Sequence, residues 1–385
     1  MDSRSTWKTM AGAALLLGAG LAMGTASVRT ARAQAAAGQG TTQPPAQLAE
    51  ERFKNIQALK GVPADDVVPA MQFISNSLGV ECEFCHVRNA FDKDDIEKKK
   101  VARKMITMQM AINKDNFNGR SHVTCFSCHR GAHDPVGVPI VPDVEPMPEH
   151  GEGNAVGAPP AATGPTADQI LDKWAQAVGG ADVMHKITSR VEKGTIKFGQ
   201  GQSAIEIYAK APGKRLSVMH TPRGESLTGF DGQAGFTTGF GPPRDMAGGD
   251  VDVAKIDAEF YLPVEAKKVF TQFRMRPPEK VGDRDAYLVF GLRQGHPPVR
   301  LYFDEQSGLL VRMVQYVETP LGRNPVQIDF ADYRDADGVK IPFQWTLARP
   351  RGRFTIQVNE VQQNVPIDDA KFAKPAAPPP PPPPK

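Results

Sequence analysis

Apolar residues first recur at helical spacing and later at strand spacing. Phe53, Ile56 and Leu59 fall at i, i+3 and i+6, which predicts a helix over Leu48 to Leu59 that Gly61 ends. Pro63 opens a second helix. Asp65 and Asp66 sit in its first turn, where the helix dipole favours them, and the pattern runs through Met71, Phe73 and Ile74 to Leu78 before Gly79 stops it. The charged run Asp92 to Lys100 leads into a third helix, from about Glu97 to Asn113, that carries Met105, Ile106, Met108, Met110 and Ile112. A further helix follows Thr166 as N-cap, with Ile170, Leu171, Trp174 and Val178 on one face and Gly179-Gly180 at its end. The period then changes to two. Runs such as Ser203 to Ala209, Ala286 to Phe290, Val299 to Phe303, Leu309 to Val317 and Val326 to Phe330 alternate and are rich in β-branched and aromatic residues. Turn signals at Asp231-Gly232, Gln306 to Gly308 and Asp335 to Gly338 separate them. The expected solution is a strongly curved, mostly antiparallel sheet with a helix packed on it.

Composition divides the chain further. Its 385 residues suffice for two domains, and 34 prolines and 36 glycines imply much turn and linker. A formal net charge of +3 gives no electrostatic case for nucleic acid or an anionic membrane as partner. Residues 1–33 read as an export signal: Arg4 and Lys8 precede an apolar run from Ala11 to Met23, and Ala31-Arg32-Ala33 offers a small-x-small cleavage site. That run is about 13 residues, short of the ~20 that span a bilayer, so cleavage is expected and an uncleaved membrane anchor is the alternative. Residues 34–47 are small, polar and expected to be disordered, and 48–135 form an all-α unit. Residues 136–165 are a Pro/Gly-rich linker, 166–374 the sheet domain, and 375–385 a polyproline tail. The fold class is therefore multi-domain, an N-terminal all-α domain followed by an α+β half-open antiparallel β-barrel with a packed helix. The mature chain is expected in the periplasm.

The chemistry lies in Cys82-Glu83-Phe84-Cys85-His86 and Cys125-Phe126-Ser127-Cys128-His129. Both read C-x-x-C-H, the pattern in which two thiols attach covalently to a haem and the adjoining histidine coordinates its iron. The chain's four cysteines are all consumed by these two motifs. A zinc site or two disulfides would use the cysteines but would explain neither histidine, and no βαβ pattern supports a thioredoxin-type pair. Two covalently bound haem c groups are therefore expected, held by Cys82, Cys85, Cys125 and Cys128, with His86 and His129 as metal ligands. Each motif follows a methionine-bearing helix, as in an internal repeat. Met71, eleven residues before Cys82, is placed either to meet an iron or to fill the core; Met105 and Met108, at i and i+3, pose the same choice for the second unit. Lys98-Lys99-Lys100 with Arg103 and Lys104 reads as a solvated face, with steering of an acidic partner or propionate contact as the functional alternatives. His122 and His133 are alternative distal ligands; His150, His185, His220 and His296 receive no role.

Phe53-Lys-Asn-Ile-Gln, Met71-Gln-Phe, Gly79-Val-Glu-Cys-Glu-Phe-Cys-His86, Ala102-Arg-Lys-Met-Ile-Thr-Met108 and Val123-Thr-Cys-Phe-Ser-Cys-His-Arg-Gly131 together resemble the cytochrome subunit of photosynthetic reaction centres, over about residues 50–135. The resemblance implies that a methionine on the helix before each motif is the distal ligand: Met71 for the first iron, and Met105, with Met108 as alternative, for the second. The chain departs from that family in carrying two motifs where its best-known members bind four haems, so a diheme electron carrier serving periplasmic or membrane-bound redox proteins is the expectation. A peroxidase-like haem enzyme or a haem-based sensor would instead need one open iron. Ala286-Tyr-Leu-Val, Leu301 to Val311 and Asp332 to Phe343 are similar to the half-barrel of outer-membrane lipoprotein-sorting carriers, a resemblance spanning about 166–372 that implies docking or a hydrophobic or lipid ligand for the second domain.

Overall fold

The computed structural model describes residues 47–135, 164–239, 243–350 and 352–376. The expected export signal, nearly all of the 34–47 tail, linker residues 136–163 and the tail from 377 lie outside the described residues. The described residues form one unit, with a helical part and a sheet part.

The helical part begins with α1 (Ala49–Arg52), far shorter than the periodicity of Phe53, Ile56 and Leu59 predicts. Asn55 takes a left-handed φ of 63°, which ends any helix there. Its amide donates to Asp92 O (2.5 Å) and Asp94 Oδ1 (3.0 Å), while its own carbonyl accepts from Arg103 Nη2 (3.2 Å). Leu59 is still buried and Phe53 and Ile56 half-buried, but the backbone between them braces a distant loop. A 3-10 turn at Ala64–Asp66 feeds α2 (Val67–Leu78), and Gly79, at φ 66°, stops it as the sequence indicates. α3 (Glu97–Phe117) runs one turn beyond the expected end and closes on Asn118 at φ 53°. α4 (Cys125–His129) is the second C-x-x-C-H motif itself.

Gly79 fastens α2 to the segment after α4. A Cβ on Gly79 would collide with the Gly131 carbonyl, and Gly131 N–H donates to Ser77 O (2.8 Å). Gly79→Ala therefore combines a strained left-handed backbone with a steric overlap. The expected cost is about 2 kcal/mol or more of stability. Thermal unfolding of the variant beside the parent checks it.

In the sheet part α5 (Ala167–Ala177) starts at Thr166, whose hydroxyl accepts from Gln169 N (3.2 Å), and buries Ile170, Leu171 and Trp174 as its period predicts. After α6 (Ala181–Met184) come β1 (Ser189–Phe198), β2 (Gly201–Lys210), β3 (Lys214–Thr221), β4 (Gly224–Phe230), β5 (Gly235–Thr237) and β6 (Arg244–Asp245). α7 (Gly249–Ala258) and α8 (Leu262–Val269) follow, then β7 (Gln272–Val281), β8 (Arg284–Leu292), β9 (Val299–Asp304), β10 (Leu310–Thr319), β11 (Gly322–Ala336), β12 (Val339–Arg349) and β13 (Gly352–Gln363).

The thirteen strands form one antiparallel sheet in the order β6-β5-β4-β3-β2-β1-β13-β12-β11-β10-β9-β8-β7. The chain meanders out from β1 to β6, crosses by α7 and α8 to the opposite edge at β7, and meanders back until β13 pairs with β1. β6 and β7 remain unpaired edges, so the sheet is open, as the half-open barrel expectation has it. Its inward residues, among them Ile207, Leu301, Phe303 and Val358, pack with Trp174, Phe260 and Phe270 into one cluster. α5 packs on this face as expected, and α6, α7 and α8 add Met184, Ile256, Leu262 and Ala266 to the same cluster. α7 begins at Gly248-Gly249 with Asp250 and Asp252, and α8 carries a non-helical Glu265, so neither shows a clean helical period. They bury through Val253, Ile256, Leu262 and Ala266 once the sheet surrounds them.

The turn from β10 to β11 reaches into the helical part. Leu321, with 0% exposure, joins Leu59, Ala70, Phe73 and Ile106 in one apolar cluster. Asn324 Nδ2 donates to Pro69 O (3.2 Å) and its Oδ1 accepts from Asn76 (3.3 Å). Among the described residues no helix is long and apolar enough to cross a membrane.

Candidate functional site

The two C-x-x-C-H motifs adopt different local forms. The first is a 3-10 turn, Cys82–Phe84, closed by His86 N–H donating to Cys82 O (3.0 Å). The second is α4, capped by Thr124 and Ser127: Thr124 N–H donates to Ser127 Oγ (3.0 Å). No disulfide joins the four cysteines, and among the described residues no group of three or more His, Cys, Asp or Glu side chains converges as a metal site, so the two cysteine pairs do not assemble one zinc tetrahedron. Burial pushes the Cys85 and Cys125 thiols up.

Both histidines share one arrangement despite these differences. His86 Nδ1 lies 3.1 Å from Phe91 O, and His129 Nδ1 lies 3.1 Å from Ala132 O. A backbone carbonyl at Nδ1 fixes the tautomer with its proton there and leaves Nε2 as the basic nitrogen, the pattern typical of a metal-binding imidazole. Burial lowers the proton affinity of His86, which favours the neutral ligand form.

α3 serves both motifs with one stripe. Lys99, Ile106, Gln109 and Asn113, at i, i+7, i+10 and i+14, are its buried residues. Asn113 Oδ1 accepts from His122 N (3.1 Å) and Val123 N (2.9 Å), and Asn113 Nδ2 and Gln109 Nε2 donate to Val123 O (2.6 and 2.7 Å). These four bonds hold the segment that enters Cys125. At the other end Lys99 Nζ donates to Phe91 O (2.8 Å) and Lys93 O (2.6 Å) and pairs with Asp94 Oδ1 (3.0 Å). Arg103 Nη1 takes Asp94 Oδ2 (2.9 Å). Arg103, Lys99 and Asn55 together hold the Asp94 carboxyl well below the usual range.

The opposite stripe of α3 is apolar and faces outward. Val101, Met105 and Met108 lie at i, i+4 and i+7, and the two methionines are 40% and 47% exposed. Phe91 and Phe126, beside and inside the motifs, are also exposed. Met71 is half-buried and packs on the Phe73 and Ile106 cluster, as does Cys125. The motifs adjoin each other: His133, just past the second, meets the ring of Phe84 in the first at 5.8 Å. His122 instead lies against Phe117, with ring centroids 5.1 Å apart.

The lysine run thus divides. Lys98 and Lys100 are exposed, and Lys98 sits over the Phe84 ring at 5.6 Å, while Lys99 is 8% exposed. The clamp of buried Lys99, Gln109 and Asn113 with half-buried Asp94 and exposed Asn55 escapes a reading by composition, because its members are the residue types of a solvated face. The recurrence of Lys99, Gln109 and Asn113 at helical spacing, interleaved with an apolar stripe, is the available signal.

Residues 18–166 match the model of the family described as photosynthetic reaction centre cytochrome C subunit. The helical part is similar to a cytochrome c. The reaction centre cytochrome c subunit of Roseobacter denitrificans is 31% identical over 99 residues, 23% of this chain and 27% of that protein. Cytochrome c-554 of Chloroflexus aurantiacus is 33% identical over 85 residues, 20% of each. The matches thus span about a quarter or less of these relatives' length. Over the rest of the chain a LolA superfamily protein of Nitrosomonas europaea aligns at 12% identity and a TM-score of 0.37, covering 55% of this chain and 99% of that one. The cytochrome-like region contains both C-x-x-C-H motifs, α3 and its two stripes.

Proposed function

We propose that the chain is an exported diheme c-type cytochrome that passes single electrons between periplasmic or membrane-bound redox proteins. The observation that carries the reading is the duplicated cysteine pair whose histidine turns Nδ1 to a backbone carbonyl and keeps Nε2 free. Cys82 and Cys85 would hold one haem c and Cys125 and Cys128 the other, with His86 and His129 as proximal ligands. A haem so held supplies a one-electron iron couple. The chain's own work is to fix the imidazoles, cover the macrocycle edges and exclude water. The outward stripe of Val101, Met105 and Met108, with Phe91 and Phe126, suits that covering role, since apolar side chains gain by leaving water.

Met71 is assigned as distal ligand of the first iron and Met105 or Met108 of the second. Contact of residues 131–133 with 77–84 brings the units side by side and supports transfer between them. A linker over 136–165 would divide the cytochrome domain from a sheet domain that serves as a docking element: its inward face is occupied by Trp174, Phe260, Phe270 and Phe303, which favours docking over carriage of an acyl chain. Near-infrared magnetic circular dichroism of the oxidised holoprotein, with carbon monoxide added to the reduced form, tests the ligation. A sulfur-to-iron band from both haems and no carbon monoxide shift are expected. One haem that binds carbon monoxide would move the chain to the enzyme or sensor class.

A further inference from the structure

We propose that Lys99 and Asp94 set the reduction potential of the iron bound at His86 separately from that of the iron at His129, making the two haems unequal. The inference rests on the diheme reading. Phe91 O carries it: the same carbonyl oxygen accepts from Lys99 Nζ at 2.8 Å and faces His86 Nδ1 at 3.1 Å. When Nε2 holds a metal, Nδ1 keeps its proton and donates to that oxygen. An acceptor already polarised by an ammonium draws less on the imidazole N–H, so His86 becomes a poorer electron donor to iron. The ammonium charge acts in the same sense, because a buried cation disfavours the oxidised, more positive centre.

Asp94 opposes this effect. Its carboxylate pairs with Lys99 at 3.0 Å and with Arg103 at 2.9 Å, so the cluster holds two cations to one anion and keeps a net positive charge near His86. Among the described residues nothing equivalent is built at the second motif. There the acceptor for His129 is Ala132 O, on an exposed loop, and the α3 residues that reach that motif, Gln109 and Asn113, are neutral.

The sign of two substitutions separates tuning from mere support of the loop. Lys99→Met keeps the length of the side chain and removes the charge; Asp94→Asn removes the opposing charge. Tuning predicts that the first lowers and the second raises one haem's potential, the other haem staying fixed. The expected change for Lys99→Met is about tenfold in the one-electron equilibrium, which for a single electron is 59 mV. A loop that only needs support loosens in both variants, wets the haem and shifts its potential in one direction.

Potentiometric titration of the purified two-haem protein, followed optically, reads this directly. Opposite shifts of a single wave support the proposal. Shifts in one direction, equal shifts of both waves, or none overturn it while leaving the diheme reading intact. A parent protein without attached haem overturns both.

Discussion

Cys82→Ala with Cys85→Ala is expected to lower the covalently attached haem from two per chain to one. The thiols are the sole covalent anchors of the first unit, and a haem without them is held by contacts and one or two axial bonds, which denaturing extraction breaks. The second attachment should survive. Its motif is organised by its own cap, Thr124 with Ser127, and by the Asn113 and Gln109 bonds to the entering segment, none of which involves the first motif. Acid-acetone extraction followed by intact-mass measurement gives the count, with the reciprocal Cys125→Ala and Cys128→Ala variant as partner experiment. Loss of both haems from either variant would mean that the units do not form independently.

Leu321→Ala should cost about 2–5 kcal/mol, the range for a buried leucine whose site cannot collapse. Leu321 has 0% exposure and its neighbours come from three segments of the helical part, Leu59 from the loop after α1, Ala70 and Phe73 from α2, and Ile106 from α3. Gly322 restricts the relaxation further, since its backbone lies against the Phe73 ring with no room for a side chain. The damage should concentrate on one side. The sheet keeps its main cluster around Trp174 and Phe303, whereas the helical cluster loses the residue that the sheet contributes to it. Hydrogen exchange would then show amides of α2 and α3 losing protection while β8 to β12 keep theirs. A uniform loss would indicate that the whole unit unfolds together.

The motifs, the period change and the strand alternation were legible because each is encoded locally. C-x-x-C-H is contiguous, Gly79 and Thr166 mark helix ends by their own backbone chemistry, and β-branched alternation states which face of a strand is buried. The failures are equally specific. Phe53 to Leu59 has helical spacing yet yields to Asn55, whose amide is worth more to the Asp92–Asp94 loop than another helical turn. α7 and α8 acquire their shape from the sheet that surrounds them. Lys99 reads as one of three solvated lysines until the fold supplies two carbonyls and a carboxylate around its ammonium. Local signals named the candidate site, but its supporting clamp depends on residues brought together from positions 55, 91–99 and 109–123, and no single stretch displays that.

Covalent haem stoichiometry is the most direct test. The protein, produced by export in a host that matures c-type cytochromes, is weighed intact under denaturing conditions, and its haem is quantified as the pyridine complex. The expected result is a mass raised by two haems and a pyridine spectrum equivalent to two per chain. A chain with four free thiols and no attached haem would contradict it.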